Sequence, residues 1–186
     1  MKFISKISRW QKEIRMKIGY PLLGNLVANL HSKKYFDFIA DKIPPEFLNR
    51  GISDLGCGDG FATEKIKLLF KARSIKGYEI NKYLADKARK RGLKVEYLNL
   101  EKEVPKGEMA VVWGVIHHLT NQEEIVRKIR SNFRFAVFNE PIKSLWAFLD
   151  GGEPLTDSAW KSLFSKTLSD CKFLKFNDNL FVFWKK

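Results

Sequence analysis

Asp54-Leu55-Gly56-Cys57-Gly58-Asp59-Gly60 joins a short apolar run beginning at Ile52 to a helical pattern beginning at Ala62. Glycines in such a strand-to-helix turn permit positive φ and leave bare backbone for a ligand to lie against. The turn points to an open parallel sheet, in which ligands sit beyond the carboxyl ends of the strands where the strand order reverses. The spacing is Gly-x-Gly-x-Gly. A dinucleotide fingerprint needs its third glycine where Phe61 stands. Asp54 and Asp59 bring two carboxylates to the turn. They oppose a pyrophosphate and suit a ligand that carries positive charge.

Glu79 ends the next predicted strand, nineteen residues past Gly60. A carboxylate there can take both hydroxyls of a ribose. Strands are predicted over 52–55, 74–80, 93–98, 109–115, 133–138, 171–176 and 180–184. Helices are predicted over 62–70, 82–91, 122–131 and 156–169, the last capped by Thr156, Asp157 or Ser158. Strands alternating with helices predict an α/β, doubly wound, mostly parallel seven-stranded sheet. Asn177-Asp178-Asn179 reads as a hairpin turn that supplies an antiparallel edge strand.

The first 49 residues follow a different pattern. Phe3, Ile7, Trp10, Ile14 and Ile18 recur at helical spacing, with Lys6, Arg9, Lys12 and Arg15 off that stripe. This predicts a basic amphipathic helix over 1–19, then helices over 22–31 and 32–43, the last stopped by Pro44-Pro45. The whole chain, at 186 residues, is expected to be a single domain.

Net charge bears on partners. The formal value of +13 favours anionic ones, RNA, anionic lipid or a phosphorylated small molecule. The lysines are scattered, so a merely solvated cationic surface explains them as well. Cys57 and Cys171 match neither a disulfide framework nor a zinc spacing, and a cytoplasmic location is expected. The apolar patch over 20–30 carries Pro21, Gly24 and two Asn, too short and polar for a transmembrane segment.

These places together resemble the class I, Rossmann-like, S-adenosylmethionine (SAM)-dependent methyltransferases, over roughly residues 50–186. Asp54, Gly56, Cys57, Gly58, Asp59 and Gly60 look like the family's first motif, and Glu79 like its second-strand acid. The resemblance implies that Ile80 packs on adenine. It places Asn99 and Leu100 beside the adenine amino group, where the family often has Asp; an Asn oxygen still accepts a hydrogen bond. Trp113, at the end of the fourth strand, is expected to stack beside the cofactor or to join the core. Residues 50–186 are then the cofactor-binding core, and residues 1–49 the segment that selects the substrate.

The resemblance implies in-line displacement at a sulfonium methyl, which asks mainly for alignment of the reacting atoms. His117 and His118, in a segment similar to the His-Leu pair of many small-substrate members, are the candidate bases. Glu140 is expected at the pocket rim after the fifth strand, within reach of acceptor or base. The Asn/Asp-Pro-Pro-aromatic signature of exocyclic-amine methylases, the Pro-Cys nucleophile of cytosine-C5 enzymes and the acid of metal-dependent catechol-type enzymes are all missing. No metal and no covalent intermediate are therefore expected. A small-molecule or anionic acceptor leads, with RNA or a catalytically silent cofactor-binding subunit as alternatives. The 1–19 helix is expected to clamp an anionic acceptor, to touch a membrane surface peripherally, or only to pack.

Overall fold

The structure is a computed structural model that describes residues 33–144 and 152–186. The helices expected over 1–19 and 22–31 lie outside the described residues, as does the middle of the 141–155 segment. A helical stretch over 33–39 leads into a loop and a single 3-10 turn, Pro45–Phe47.

Seven strands then form one sheet. They are β1 (Gly51–Leu55), β2 (Ser74–Glu79), β3 (Val95–Tyr97), β4 (Met109–Trp113), β5 (Phe135–Pro141), β6 (Lys172–Phe176) and β7 (Asn179–Lys185). The helices are α1 (Phe61–Leu69), α2 (Lys82–Lys90), α3 (Gln122–Asn132) and α4 (Asp157–Thr167). The strand order is β3-β2-β1-β4-β5-β7-β6. β1 to β5 are parallel, and β7 runs antiparallel to both β5 and β6. The order reverses between β1 and β4. The loops that leave those two strands therefore diverge and open a crevice at their carboxyl ends.

Side chains alternate across this sheet, as strand geometry requires. Met109 and Val111 of β4, Val137 of β5 and Phe181 and Phe183 of β7 meet Phe36 and Ile39 of the 33–39 stretch and Ile66 of α1. Ala110 and Val112, Ala136 and Phe138, and Leu180 and Val182 face the other way. There they meet Ile125, Val126 and Ile129 of α3 and Trp160 and Phe164 of α4. Each fully buried side chain of this kind contributes roughly 1.5–3 kcal/mol. Thr156 caps α4 by accepting from the Ala159 N–H at 3.2 Å.

The main departure from expectation is the length of β5. Asn139-Glu140-Pro141 was expected to follow the strand, and it is the strand's last three residues. Pairing explains this. β4 accompanies β5 only as far as Trp113 beside Asn139, whereas β7 continues to Asn179 beside Pro141. At Pro141 only one edge is paired, so a residue without an N–H is tolerated there. Glu140 follows Ala136 and Phe138 on the α3 and α4 face and is fully buried. It is not at a rim.

Candidate cofactor site

The turn after β1 folds back on the end of β2. The Gly56 and Cys57 N–H groups donate to the Tyr78 carbonyl at 2.7 and 3.1 Å. Gly56, Gly58 and Gly60 all have positive φ, 81°, 56° and 84°. They are glycines for different reasons. A Cβ on Gly56 would stand 2.5 Å from Val115 Cγ2, and one on Gly60 would stand 2.4 Å from Leu93 Cδ1. A Cβ on Gly58 would meet nothing within 4 Å. Gly56 and Gly60 are demanded by packing, while Gly58 presents bare backbone to open space. Gly58→Ala is therefore expected to cost the fold only about 1–2 kcal/mol, from its left-handed φ. It should weaken cofactor binding by roughly tenfold or more, since the methyl enters the ligand's space. Chemical denaturation beside calorimetric titration separates the two effects.

Glu79 is 7% exposed and stands beside that backbone. Its Oε2 accepts from the Gly58 N–H at 2.9 Å and its Oε1 from the Asn81 N–H at 2.7 Å. Each oxygen keeps a second lone pair, so a diol can still be bound. Asn81 in turn caps α2, its side chain accepting from Tyr83 and Leu84 N–H groups. Burial raises the Glu79 carboxyl above its ordinary range, against the N–H groups of Asn81, Gly58 and Ile80.

Asp54 lies lower, 2% exposed at the end of β1. Thr63 Oγ1 of α1 donates to its Oδ2 at 2.6 Å. Burial pushes its carboxyl up to about 7, with the Thr63 hydroxyl opposing and the Glu79 charge adding. Asp59 accepts from the Phe61 N–H at 3.1 Å and meets Arg91 at 3.5 Å, so it serves the opening of α1. The Cys57 side chain packs where a Cβ on Gly77 would fall, 2.6 Å from its Sγ. Burial pushes that thiol well up, the Asp54 and Glu79 charges adding, so it stays protonated.

On the adenine side of the resemblance, Ile80 is 42% exposed just past β2. Asn99 Oδ1 accepts from the Glu101 N–H at 2.9 Å, and Leu100 is buried. Trp113 turns to the opposite quarter. It stacks on Phe36 with centroids 4.6 Å apart and meets Phe181 edge-on.

His117 and Glu140 form a pair that no local sequence pattern reveals. Both are fully buried. Glu140 Oε1 accepts from the Val115 and Ile116 N–H groups at 3.1 and 2.9 Å, and Oε2 from the His117 N–H at 3.3 Å. His117 Nδ1 lies 2.7 Å from Oε2. A carboxylate accepting on both oxygens makes Nδ1 the donor, which leaves Nε2 as the ring's basic nitrogen. The backbone at Gly152 runs against the ring, and a Cβ there would fall 2.2 Å from His117 Cδ2. Glu153 N–H donates to the His117 carbonyl at 2.7 Å. The His118 ring, half-buried, sits 4.0 Å from that of His117. Glu140 thus meets His117 inside the core and not at a pocket rim. The Val115 packed against Gly56 is held by the same carboxylate, so the loop after β4 and the turn after β1 are set together.

Among the described residues no group of acidic, His and Cys side chains is arranged to hold a metal. No described helix is long and apolar enough to cross a membrane.

No protein-family model and no curated protein matches this sequence. Solved structures do. Human N-acetylserotonin methyltransferase in complex with SAM superposes with a TM-score of 0.74 at 14% identity, covering 93% of this chain and 57% of that one. The plantazolicin methyltransferase in complex with SAH gives 0.73 at 10% identity, covering 97% and 96%. Magnesium protoporphyrin IX methyltransferase from Synechocystis PCC 6803, with bound SAM, gives 0.68 at 8% identity, covering 96% of both chains. The fold is that of the class I SAM-dependent methyltransferases. The chain spans only 49% to 61% of the length of several such neighbours, and at these identities the likeness is one of fold. The turn after β1, with Gly58, and Glu79 at the end of β2 stand at the carboxyl edge of the sheet, beside the reversal of strand order.

Proposed function

We propose that this chain is a SAM-dependent methyltransferase acting on a small molecule. The observation that carries the proposal is Gly58, a bare backbone facing open space with the Glu79 carboxylate hydrogen-bonded to it, at the reversal of strand order. The residues present fit the cofactor. Glu79 takes the ribose hydroxyls with its spare lone pairs, and Gly58 lets the ligand approach. Ile80 offers an apolar surface to adenine, and Asn99 and Leu100 line that end. The cofactor supplies a methyl group on a sulfonium, a good leaving group, so the protein mainly aligns donor and acceptor.

His118, half-buried, and His117 are the candidate bases of this reaction. Glu140 is the positioning residue of His117, holding its ring through Nδ1. N-acetylserotonin and magnesium protoporphyrin IX, in the names of two neighbours, are small molecules. This supports a small acceptor over RNA. A place in the cytoplasm accords with this reading.

Calorimetric titration with SAM and with NAD+ tests the cofactor. SAM is expected to bind and NAD+ not. At a hundredfold excess over its dissociation constant SAM should add about 2.7 kcal/mol to stability. Binding of NAD+ without SAM overturns the proposal. Transfer of a tritiated methyl group into the small-molecule fraction of a lysate then tests the acceptor. Label found only in RNA refutes the small-molecule part, and SAM binding without any transfer marks a silent subunit.

A further inference from the structure

The ladder beside β5 ends at Gly114, whose N–H donates to the Asn139 carbonyl at 2.7 Å and whose φ is 69°. There the chain leaves the sheet, and the next three N–H groups belong to no strand. Glu140 of β5 takes all three. Its Oε1 accepts from Val115 and Ile116 at 3.1 and 2.9 Å, and its Oε2 accepts from His117 at 3.3 Å. The 3-10 turn Ile116–His118 has no side-chain cap from Val115 before it. The carboxylate therefore caps that turn from the neighbouring strand. A fully buried acid with this many partners fixes where Val115 stands.

Val115 is the link to the cofactor turn. Its Cγ2, Cγ1 and Cβ lie 2.5, 2.9 and 3.3 Å from where a Cβ on Gly56 would fall. The isopropyl group thus fills the side-chain space of Gly56, close against its backbone. On the β2 side the same turn is held by the Tyr78 carbonyl, which accepts from Gly56 and Cys57, and by Glu79, which accepts from Gly58. Over Gly58 there is open space, since a Cβ there would meet nothing within 4 Å. A turn left bare above takes its shape from what packs beside it. Here that is the end of β2 on one side and Val115 on the other.

We propose that Glu140 is a positioning residue of the cofactor turn, acting through Val115 on Gly56 and so on the Gly58 backbone. The proposal rests on the cofactor reading above. Glu140 is fully buried and offers a ligand no surface, so its effect on binding is indirect. Linkage makes the effect reciprocal. Cofactor in place steadies Val115, and with it the loop that carries His117 and His118. Cofactor binding and placement of the candidate bases become one event. A Glu140 that served the fold alone would raise the melting temperature and leave the affinity of the folded protein untouched. A positioning Glu140 raises both.

The test is calorimetric titration of SAM into the whole protein and its variants, well below their melting temperatures. Glu140→Ala is expected to bind about tenfold more weakly. Val115→Ala trims both Cγ atoms from Gly56 and should bind about fivefold more weakly. The double variant should lose little more than Glu140→Ala, because both changes act on one contact. Glu140→Gln keeps an oxygen for the Val115 and Ile116 N–H groups and should return affinity to within about threefold of the parent. Phe164→Leu, a change in the core where α4 meets Phe138 of β5, should lower stability and leave affinity as it is. A folded Glu140→Ala that binds SAM as tightly as the parent overturns the proposal. So does a Phe164→Leu that binds as weakly as Glu140→Ala, or a double variant whose loss is the product of the singles. Should Glu140→Ala not fold, Glu140→Asp decides, since it withdraws the carboxylate by one methylene. It should bind about threefold more weakly, and parent-like affinity there refutes the proposal. Failure of the parent to bind SAM sinks the cofactor reading along with this one. Parent binding with unchanged Glu140 variants sinks this one alone.

Discussion

Replacing Glu140 with alanine is expected to lower the stability of the fold by about 4 kcal/mol, the sum of several buried donors left without an acceptor at roughly 1–3 kcal/mol each. One fully buried carboxylate serves the N–H groups of Val115, Ile116 and His117 and the ring nitrogen of His117. Glu140 is fully buried, so bulk solvent does not serve those donors in its place. For a domain of this size the loss amounts to a fall in melting temperature of roughly 10–15 °C. Glu140→Gln keeps one acceptor oxygen and should cost about half as much. Thermal and urea denaturation of both variants checks the order. If the alanine variant is as stable as the parent, the loop after β4 is not held as described. The double variant with His117→Ala should then add less than the sum of the two singles, since both remove one shared contact.

The second large effect concerns binding. On the proposed cofactor reading, Glu79→Ala is expected to weaken SAM binding by about a hundredfold, close to 3 kcal/mol, because the charge-assisted hydrogen bonds assigned there to the ribose would be lost together. The fold should lose less. The Gly58 and Asn81 N–H groups give up an acceptor, but a desolvated carboxylate is no longer buried beside Asp54. Glu79→Gln retains one acceptor oxygen and should fall between the two, about tenfold down. Calorimetric titration reads the affinity, and circular dichroism melts confirm that the variants are folded. An alanine variant that binds SAM as tightly as the parent would remove Glu79 from the site.

The parts of this molecule that were legible in its sequence are those written locally. The turn at 54–60, the acid at 79 and the alternation of strand and helix each occupy a few consecutive residues. They led to the doubly wound sheet and to the family resemblance. What escaped depends on residues far apart. Asn139-Glu140-Pro141 reads as a strand ending, because polar residues and proline oppose a strand, and only β7 alongside keeps it extended. Trp113 at a strand end suggests a cofactor wall. Its stacking partner, Phe36, lies in a different element and carries no signal in the neighbourhood of Trp113. Nothing around Glu140 announces that it receives three N–H groups from the loop after another strand. Likewise Gly152 looks like an ordinary loop glycine until the His117 ring is found against it.

The place of β7 has a consequence for biosynthesis. Parallel strands β1 to β5 can assemble as they emerge, but the free edge of β5 waits for Asn179–Lys185, some forty residues later in the chain. Until then a strand carrying Phe135, Val137 and Phe138 presents unpaired backbone and apolar side chains together. Such an edge is a template for wrong pairing between nascent chains. A polypeptide stalled on the ribosome before β7 should thus be far more prone to aggregate than one stalled just after it.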